Sequence, residues 1–478
     1  MAKQLAEQIR PGTEIDTAIP GRMDRLPWSP WHWKILLGLG ITWLLDGLEV
    51  TIVGAVGAVL SEADTLGLRE SQIGATGSAY LIGAVLGSLF FGRLTDRLGR
   101  KRLFFVTLGV YLFATIGTAL SWNFWSFCIF RALTGAGIGG EYSAINSAVD
   151  ELIPARVRGR INLGINSSYW LGTALGAALS LVLLNPRILP HSLGWRVCFG
   201  LGAVLSTFIL FFRRHLPESP RWLLHHGQLR EAENVVSLIE NEVGRSLTSP
   251  LPIYNHPMRI RIHGRTTFRE IAHTLFRKHP RRAFLGLSLM IAQAFAYNAV
   301  FFTYALILGK FYGIPAARIG WYLLPFAFGN FLGPMILGHW FDTLGRRIMI
   351  SATYGVAGIL LAMTGFGFAH GWLTATTQTA LWCAVFFVAS AAASSAYLTV
   401  GELFPVQMRA MAIALFYSVG TAVGGIGAPA LLGTLIESGN RFRVAEAYYL
   451  GAALLIGGAL VAVFFAVPAE RKSLESLN

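Results

Sequence analysis

The sequence predicts an all-α membrane protein of twelve transmembrane helices in two six-helix halves, and three observations carry that prediction. Of the 478 residues, 54% are hydrophobic and only 13% charged, whereas a soluble domain is about 25% charged. The apolar residues come in long runs, with polar residues gathered between them. Two short polar motifs from the first half of the chain return in the second half at nearly one offset. Such a composition excludes a soluble enzyme.

Runs of about 17–25 apolar residues are long enough to cross a bilayer. They fall at 34–60, 72–91, 103–120, 125–149, 161–184, 195–213, 283–309, 319–340, 348–369, 375–400, 411–436 and 445–467. The first is preceded by a polar stretch containing Lys3, Arg10, Arg22 and Arg25, and no small-residue cleavage site follows a short apolar core, so a cleaved signal peptide is not expected. The chain carries 39 Lys and Arg and a net charge of +14. Most of these cations lie in loops on the side of the N-terminus, which by the positive-inside rule makes both termini cytoplasmic. The expected location is a plasma membrane, the inner membrane if bacterial. A basic balance of this size also suits nucleic acid, but here the cations sit between apolar runs and lack stacking aromatics. The bilayer is therefore an expected partner and nucleic acid is not. Cys128, Cys198 and Cys383 all fall within apolar runs and read as packing residues.

These runs divide the chain into a cytoplasmic segment 1–33, a six-helix bundle 34–213, a linker 214–282, a second bundle 283–467 and a tail 468–478. The linker holds most of the 11 histidines and two amphipathic stretches of helical period, 227–243 and 266–275. A solvated linker facing anionic lipid accounts for this composition; a pH sensor is the other reading. Twelve spans can enclose a path within one chain, so a monomer is expected.

Gly92-Arg93-Leu94-Thr95-Asp96-Arg97-Leu98-Gly99-Arg100-Lys101, between spans 2 and 3, returns between spans 8 and 9 as Gly338-His339-Trp340-Phe341-Asp342-Thr343-Leu344-Gly345-Arg346-Arg347. Glu151-Leu152-Ile153-Pro154 with Arg158-Gly159 after span 4 returns as Glu402-Leu403-Phe404-Pro405 with Arg409-Ala410 after span 10. Glycines permit tight turns and close helix approach, and Asp and Arg at helix ends pair with one another and with the terminal dipoles. Isolated charges of this kind merely anchor helices at the headgroups. A repeated set points to a device shared by both halves.

At these motifs the chain resembles the major facilitator superfamily, over all twelve spans and the linker. Pro217-Glu218-Ser219-Pro220-Arg221-Trp222-Leu223, after span 6, is similar to the sugar-porter and organic-ion-transporter branch. The resemblance implies a secondary transporter working by alternating access. It also implies a cytoplasmic gate that joins the bundles, built here from Gly92, Asp96, Arg97, Gly99, Arg100, Glu151, Arg158, Glu218, Arg221, Asp342, Gly345, Arg346, Glu402 and Arg409.

An ionisable residue at bilayer depth costs at least ~2.5 kcal/mol on insertion scales, so each is a functional candidate. Asp46 and Glu49 lie three residues apart in span 1, on one helical face, and Arg131 and Glu141 lie in span 4. At a rise of about 1.5 Å per residue, Asp46 and Arg131 fall at similar depths, which permits an Asp46–Arg131 pair, with Glu49 one turn away as a second candidate. A carboxylate that alternates between an arginine and a desolvated state changes its proton affinity with conformation and can carry a proton. A static buried ion pair is the alternative. Arg131-Ala-Leu-Thr-Gly135-Ala-Gly137 resembles the Arg-xxx-Gly-x-Gly pattern of the family. Asp46-Gly47-Leu48-Glu49 resembles the Asp-Gly-x-Asp signature of aromatic-acid and niacin-type proton symporters, with Glu in place of the second Asp.

Substrate sites of this fold lie at mid-membrane between the halves. Asn166, Tyr169 and Trp170 of span 5, Gln293, Tyr297 and Asn298 of span 7, and Arg131, Glu141 and Tyr142 of span 4 are the candidates. The aromatic residues suit a flat organic molecule, although helix packing explains them equally well. Arg131, the one Lys or Arg away from the ends of a span, suits an anion, and Glu141 an amine or ring nitrogen. Ala292 and Ala296 stand where sugar porters carry Gln and Gly, which demotes a hexose, since each unmet polar group costs about 1–3 kcal/mol. No phosphate loop, zinc-type Cys/His spacing or nucleophile elbow occurs, so neither cofactor, metal nor enzymatic activity is expected. Gly172-Thr-Ala-Leu-Gly176 lacks the proline of drug/proton antiporters. The leading expectation is proton-coupled uptake of a small organic acid or related metabolite. A sugar or polyol porter is the runner-up, followed by drug export and by a non-transporting sensor.

Overall fold

The computed structural model describes residues 13–213, 216–251, 254, 256–261, 268–314 and 316–474. Twelve long helical spans form among them, six to each half. Spans 1–6 are Pro30–Leu60, Glu70–Leu98, Arg100–Ala119, Phe124–Leu152, Arg158–Leu183 and His191–Arg213. Spans 7–10 are Pro280–Tyr312, Ala316–Thr343, Arg346–Ala369 and Ala375–Leu403, and span 12 is Arg441–Phe465. Span 11 is interrupted: α-helix Arg409–Gly420 passes into a π-helical turn at Thr421–Ile426 and resumes as Gly427–Glu437. Ten of these helices are apolar enough over 18 residues to cross a membrane by composition alone. The two others are spans 4 and 5. Their hydropathy is lowered by Arg131, Glu141, Asp150 and Glu151 in one and Asn162 and Asn166 in the other, all of them buried inside the bundle.

Local chemistry sets several helix ends. Asn123 caps span 4 through the Ser126 amide at 2.8 Å, and Thr374 caps span 10 through the Thr377 amide at 3.2 Å. Spans 2 and 8 continue to Leu98 and Thr343, beyond the expected 91 and 340, because the first residues of each repeated motif are the last turns of these helices. Gly99 (φ 94°) and Gly345 (φ 103°) then break the chain in a conformation that disfavours any side chain, and a new helix begins at the next residue.

Small residues bring spans 2 and 4 together. Gly83 and Gly87 lie on the backbone of Ala132 and Ala136, and Gly135 and Gly139 lie on that of Tyr80 and Ala84, so a Cβ at any of the four would collide with the facing helix. That close approach places Tyr80 beside Arg131. The halves meet along spans 5 and 8 and along spans 2 and 11.

The expectation of a solvated linker is corrected. Pro220–His225 is a buried helix, and Leu229–Gly244 buries Ala232, Val236, Ile239 and Val243 on one face. The N-terminal segment straps this linker down. Strand Glu14–Thr17 pairs antiparallel with Met258–Arg261, and Arg22 and Arg25 both bind Glu240, at 2.6 and 2.5 Å. The apolar stripe of the linker helix explains the docking: its buried face needs a partner, and the short helices Pro220–His225 and Ile19–Asp24, with the edge of span 1, supply one. Helix Phe268–His273 passes into a π turn at Thr274–Lys278. Lys3, Arg10 and residues 266–267 lie outside the described residues.

Candidate functional site

Span 1 carries its two acids into the interior, with Asp46 1% and Glu49 2% exposed. The arginine is taken by Glu49: Arg131 Nη1 donates to Glu49 Oε1. The Asp46–Arg131 pair expected from depth does not form. Asp46 instead accepts the hydroxyl of Tyr80 at 2.5 Å on Oδ1 and that of Tyr142 on Oδ2. The reason is axial: Arg131 lies level with Glu49, one turn further along span 1 than Asp46, its guanidinium 4.7 Å from the centre of the Tyr80 ring, and Tyr80 stands between it and Asp46. Glu49 Oε2 and Arg131 Nε are buried without a hydrogen-bond partner among the described residues. The site thus holds a carboxylate bonded only to neutral hydroxyls next to a buried ion pair.

Aromatic rings join this site to the second half. Tyr142 stacks on Trp43 at 4.3 Å and meets Tyr417 of span 11 edge-on at 5.1 Å, while Trp43 meets Tyr397 of span 10 at 5.9 Å. A second group surrounds Trp170 of span 5, with Tyr297 at 5.7 Å, Phe301 at 5.6 Å and Phe326 at 5.5 Å, and Tyr169 lies beside it at 5.2 Å. Tyr297 donates to Asn330 Oδ1 at 2.8 Å, and Asn298 donates to the carbonyl of Ala294. Gln293 is half-buried and reaches the Met290 sulfur at 3.9 Å. Glu141 faces the other way, toward span 3, and accepts from Thr107 at 3.2 Å within one half. Asn166 bonds Asn162 at 2.9 Å and Asn146 at 3.4 Å.

The repeated motifs assemble at one face. Asp96 accepts the backbone amides of Ala410 and Met411, at 3.3 and 2.9 Å, and so caps the first turn of span 11 in the opposite half. Asp342 does the same for span 5, accepting from Gly159 at 3.0 Å and Arg160 at 2.8 Å. A carboxylate at a helix N-terminus meets both orphan donors and the positive end of the dipole. Each Asp is held by the arginine of its own motif. Arg100 binds Glu151 at 2.7 Å, and Arg346 grips Glu402 through two bonds of 2.9 Å and Asp342 through another of 2.9 Å. Arg409 crosses the interface to Glu151 at 3.3 Å, and Arg158 lies 4.0 Å from Glu402. Gly92 packs on Ala414 of the other half. Arg97, expected in the gate, is exposed at the surface beside it.

Sequence reading missed three parts of this face. Glu218 accepts the amides of Arg100 at 2.9 Å and Lys101 at 3.2 Å, and Glu470 of the tail accepts that of Arg346 at 3.3 Å, so the two acids cap spans 3 and 9 in parallel. Glu218 was legible from its motif; Glu470 was not, because it lies far along the chain in a tail without pattern. Asp24 of the N-terminal segment pairs with Arg221 at 2.9 Å and Arg158 at 3.3 Å, tying strap, linker and motif face together. Asp150, next to Glu151, is wholly buried. Burial pushes the Glu218 carboxyl up, against bonds from the Ser219, Arg100 and Lys101 amides and the Arg100 charge.

In the linker, the ring of His226 stacks on Trp222 at 4.1 Å. Burial holds its proton affinity below the ordinary value, aided by the Arg100 charge and opposed by the bond to the Trp222 carbonyl. A histidine so depressed adds stability above the ordinary value of 6.5, and that contribution is lost as pH falls toward the lowered one. Comparing melting temperatures of the parent and His226→Gln from pH 7.5 down to pH 5 is expected to show a steeper decline in the parent; parallel curves would remove this role.

Comparison with known proteins places this geometry. The model of the family described as "Sugar (and other) transporter" matches residues 51–478. The niacin transporter NiaP of Acinetobacter baylyi is 26% identical over 458 residues, covering 96% of this chain and 99% of its own. The 4-hydroxybenzoate transporter PcaK of the same organism is 26% identical over 399 residues, covering 82% of this chain and 83% of its own. Among solved structures, the major facilitator superfamily proton:xylose symporter XylE bound to 6-bromo-6-deoxy-D-glucose superposes with a TM-score of 0.75 at 19% identity, over 93% of this chain and 98% of that one.

Proposed function

The chain belongs to the sugar (and other) transporter family, within the major facilitator superfamily, and from that membership we propose proton-coupled uptake of a small, flat organic acid by alternating access. The observation that carries the reading is Asp46: a buried carboxyl of span 1, bonded to two neutral hydroxyls and joined through the Tyr142 ring to the second half. The names of NiaP and PcaK, relatives along most of the chain, support an aromatic acid as substrate. The motif face is read as cytoplasmic, with both termini there, in the inner membrane of a bacterium, and the chain as a monomer.

The coupling follows from hydrogen-bond direction. Ionised, Asp46 accepts from both tyrosines and holds Tyr142 against Trp43 and Tyr417. Protonated from outside, it becomes a donor on one oxygen, and one tyrosine hydroxyl must turn its own hydrogen aside and accept instead of donate. Tyr142 is the one whose movement reaches the other half. A substrate acid between Trp43, Tyr142, Trp170 and Tyr297 lies next to Trp43 Nε1, a buried donor with no partner among the described residues. Arg131 serves such an anion only on leaving Glu49, so its first role is to neutralise that acid.

The state described is latched at the motif face. Removing the Asp96 carboxylate leaves the first amides of span 11 uncapped, and charged hydrogen bonds of this kind contribute about 1.5–3 kcal/mol each. Asp96→Ala is expected to raise alkylation of a cysteine placed behind the latch several-fold, with Asp342→Ala acting alike. Unchanged labelling in both would remove the latch role.

The reading is tested by uptake into proteoliposomes of labelled nicotinate, 4-hydroxybenzoate, a hexose and a cationic dye, with and without an inward proton gradient. Accumulation of an acid that collapses with a protonophore supports it. Gradient-insensitive equilibration of the hexose instead favours a facilitator of the sugar-porter kind.

A further inference from the structure

Asp150 is a buried acid that nothing above uses. It is fully enclosed at the end of span 4, next to Glu151 of the latch, yet it takes no part in the latch bonds. Its Oδ1 accepts from Asn162 at 3.2 Å, and its Oδ2 is buried without a partner among the described residues. That bare oxygen lies against Gly401 of span 10, where any Cβ would collide with it, so the carboxyl spans the interface between the halves.

The charged groups facing it come from every helix packed there: Glu151 on its own span, Arg158 on span 5, Glu402 on span 10 and Arg409 on span 11. The two arginines are committed elsewhere. Arg409 donates to the carbonyls of Gly401 and Phe404 and to Glu151, while Arg158 donates to Asp24 and to the carbonyls of Ile153 and Lys472. An ionised carboxylate enclosed with one unbonded oxygen is costly, and a neutral carboxyl is the form such a site accepts. A ladder of amides leads to it from the interior. Tyr142, which binds Asp46, accepts through its carbonyl from Asn146 at 2.8 Å; Asn166 bridges Asn146 and Asn162; and Asn162 reaches Asp150.

We propose that Asp150 is a second proton station: it carries a proton while the motif face is latched and releases it to cytoplasmic water when the halves part. The inference rests on the proton-coupled reading above. Parting the halves removes Glu151 from Arg409 and admits water along the Gly401 contact. The O–H bond of Asp150 then breaks, its proton passes to water, and the carboxylate left behind pairs with Arg409 or Arg158. Relatching requires the proton back, so acid favours the closed motif face and alkali the open one.

The test uses full-length protein in detergent without substrate, with Cys128, Cys198 and Cys383 replaced by Ala and Ser143→Cys as the reporter. Ser143 is buried beside Gly92 behind the latch. Its alkylation rate is read from pH 6 to pH 8.5, each value divided by that of the same cysteine in unfolded protein at the same pH so that ionisation of the thiol itself cancels, and this relative rate is what the variants are compared by. The expected result is a rise of about tenfold in the Asp150 parent, as for one group titrating with the latch. Asp150→Asn, which mimics the neutral form, is expected to stay slow at every pH, and Asp150→Glu to restore the slope. A slope in Asp150→Asn equal to the parent's, or no slope in the parent, overturns the proposal. Protonophore-sensitive accumulation by the same parent, measured separately, decides the proton-coupled reading independently of this result.

Discussion

Asp46→Asn protein in proteoliposomes is expected to lose accumulation of its substrate acid against a gradient by more than an order of magnitude, while exchange of labelled for unlabelled substrate continues within a few-fold of the parent rate. The physical basis is that asparagine keeps the size of the protonated carboxyl and can still bond Tyr80 and Tyr142, the two partners of Asp46. It has no proton to give up. Exchange needs only that the loaded protein reorient, which the neutral form permits; net uphill transport needs the proton to leave on the inside. A carboxyl enclosed at 1% exposure within the membrane is retained at an insertion cost that packing alone does not explain. Equal accumulation by mutant and parent would show that the acid is a structural hydrogen-bond acceptor.

The second large effect concerns Arg131. Removing one member of a buried ion pair strands the other charge, at a cost of about 3–5 kcal/mol, whereas replacing both by neutral residues of like size is often tolerated. Arg131→Ala is therefore expected to lower the melting temperature sharply by leaving Glu49 unpaired. Arg131→Met combined with Glu49→Gln is expected to recover most of the loss. Arg131→Lys is expected to recover less, because the planar guanidinium also lies over the Tyr80 ring at 4.7 Å and 5.8 Å from the Phe199 ring. Thermal unfolding of the three proteins gives a direct comparison. A double variant no better than Arg131→Ala would mean that the arginine acts through something other than Glu49.

These two predictions also show where the sequence was legible. The spans could be read because burial in lipid demands unbroken apolar runs, and the motif copies because each half repeats one solution to the same problem. Depth along a helix follows from counting residues, so Asp46, Glu49 and Arg131 were brought to one level. The slide of one helix along another, to within a turn, does not follow from counting, and it decided that Glu49 takes the arginine while Tyr80 and Tyr142 take Asp46. Tyr80, Trp43, Tyr397 and Tyr417 were invisible for a related reason: a tyrosine in an apolar run reads as packing until its hydroxyl is placed. That Glu141 accepts from Thr107 of span 3 was not legible, because facing span 3 or facing the second half looks the same in sequence. Asp24 and Glu470 act through long-range contacts, with Arg158 and Arg221 in one case and the Arg346 amide in the other, and neither lies in a recurring pattern. The linker was read as solvated because its charges dominate its composition. The apolar stripe that docks it lies on a single face of Leu229–Gly244.

The most direct measurement is proton movement itself. Proteoliposomes loaded with a pH-sensitive dye, with no imposed proton gradient, receive nicotinate or 4-hydroxybenzoate outside while a valinomycin-clamped potassium gradient holds the lumen negative. A proton-coupled importer acidifies the lumen on addition of its substrate, and the Asp46→Asn protein does not. Substrate entry without any change in lumenal pH, or with the same change in the Asp46→Asn protein, would contradict proton coupling through Asp46.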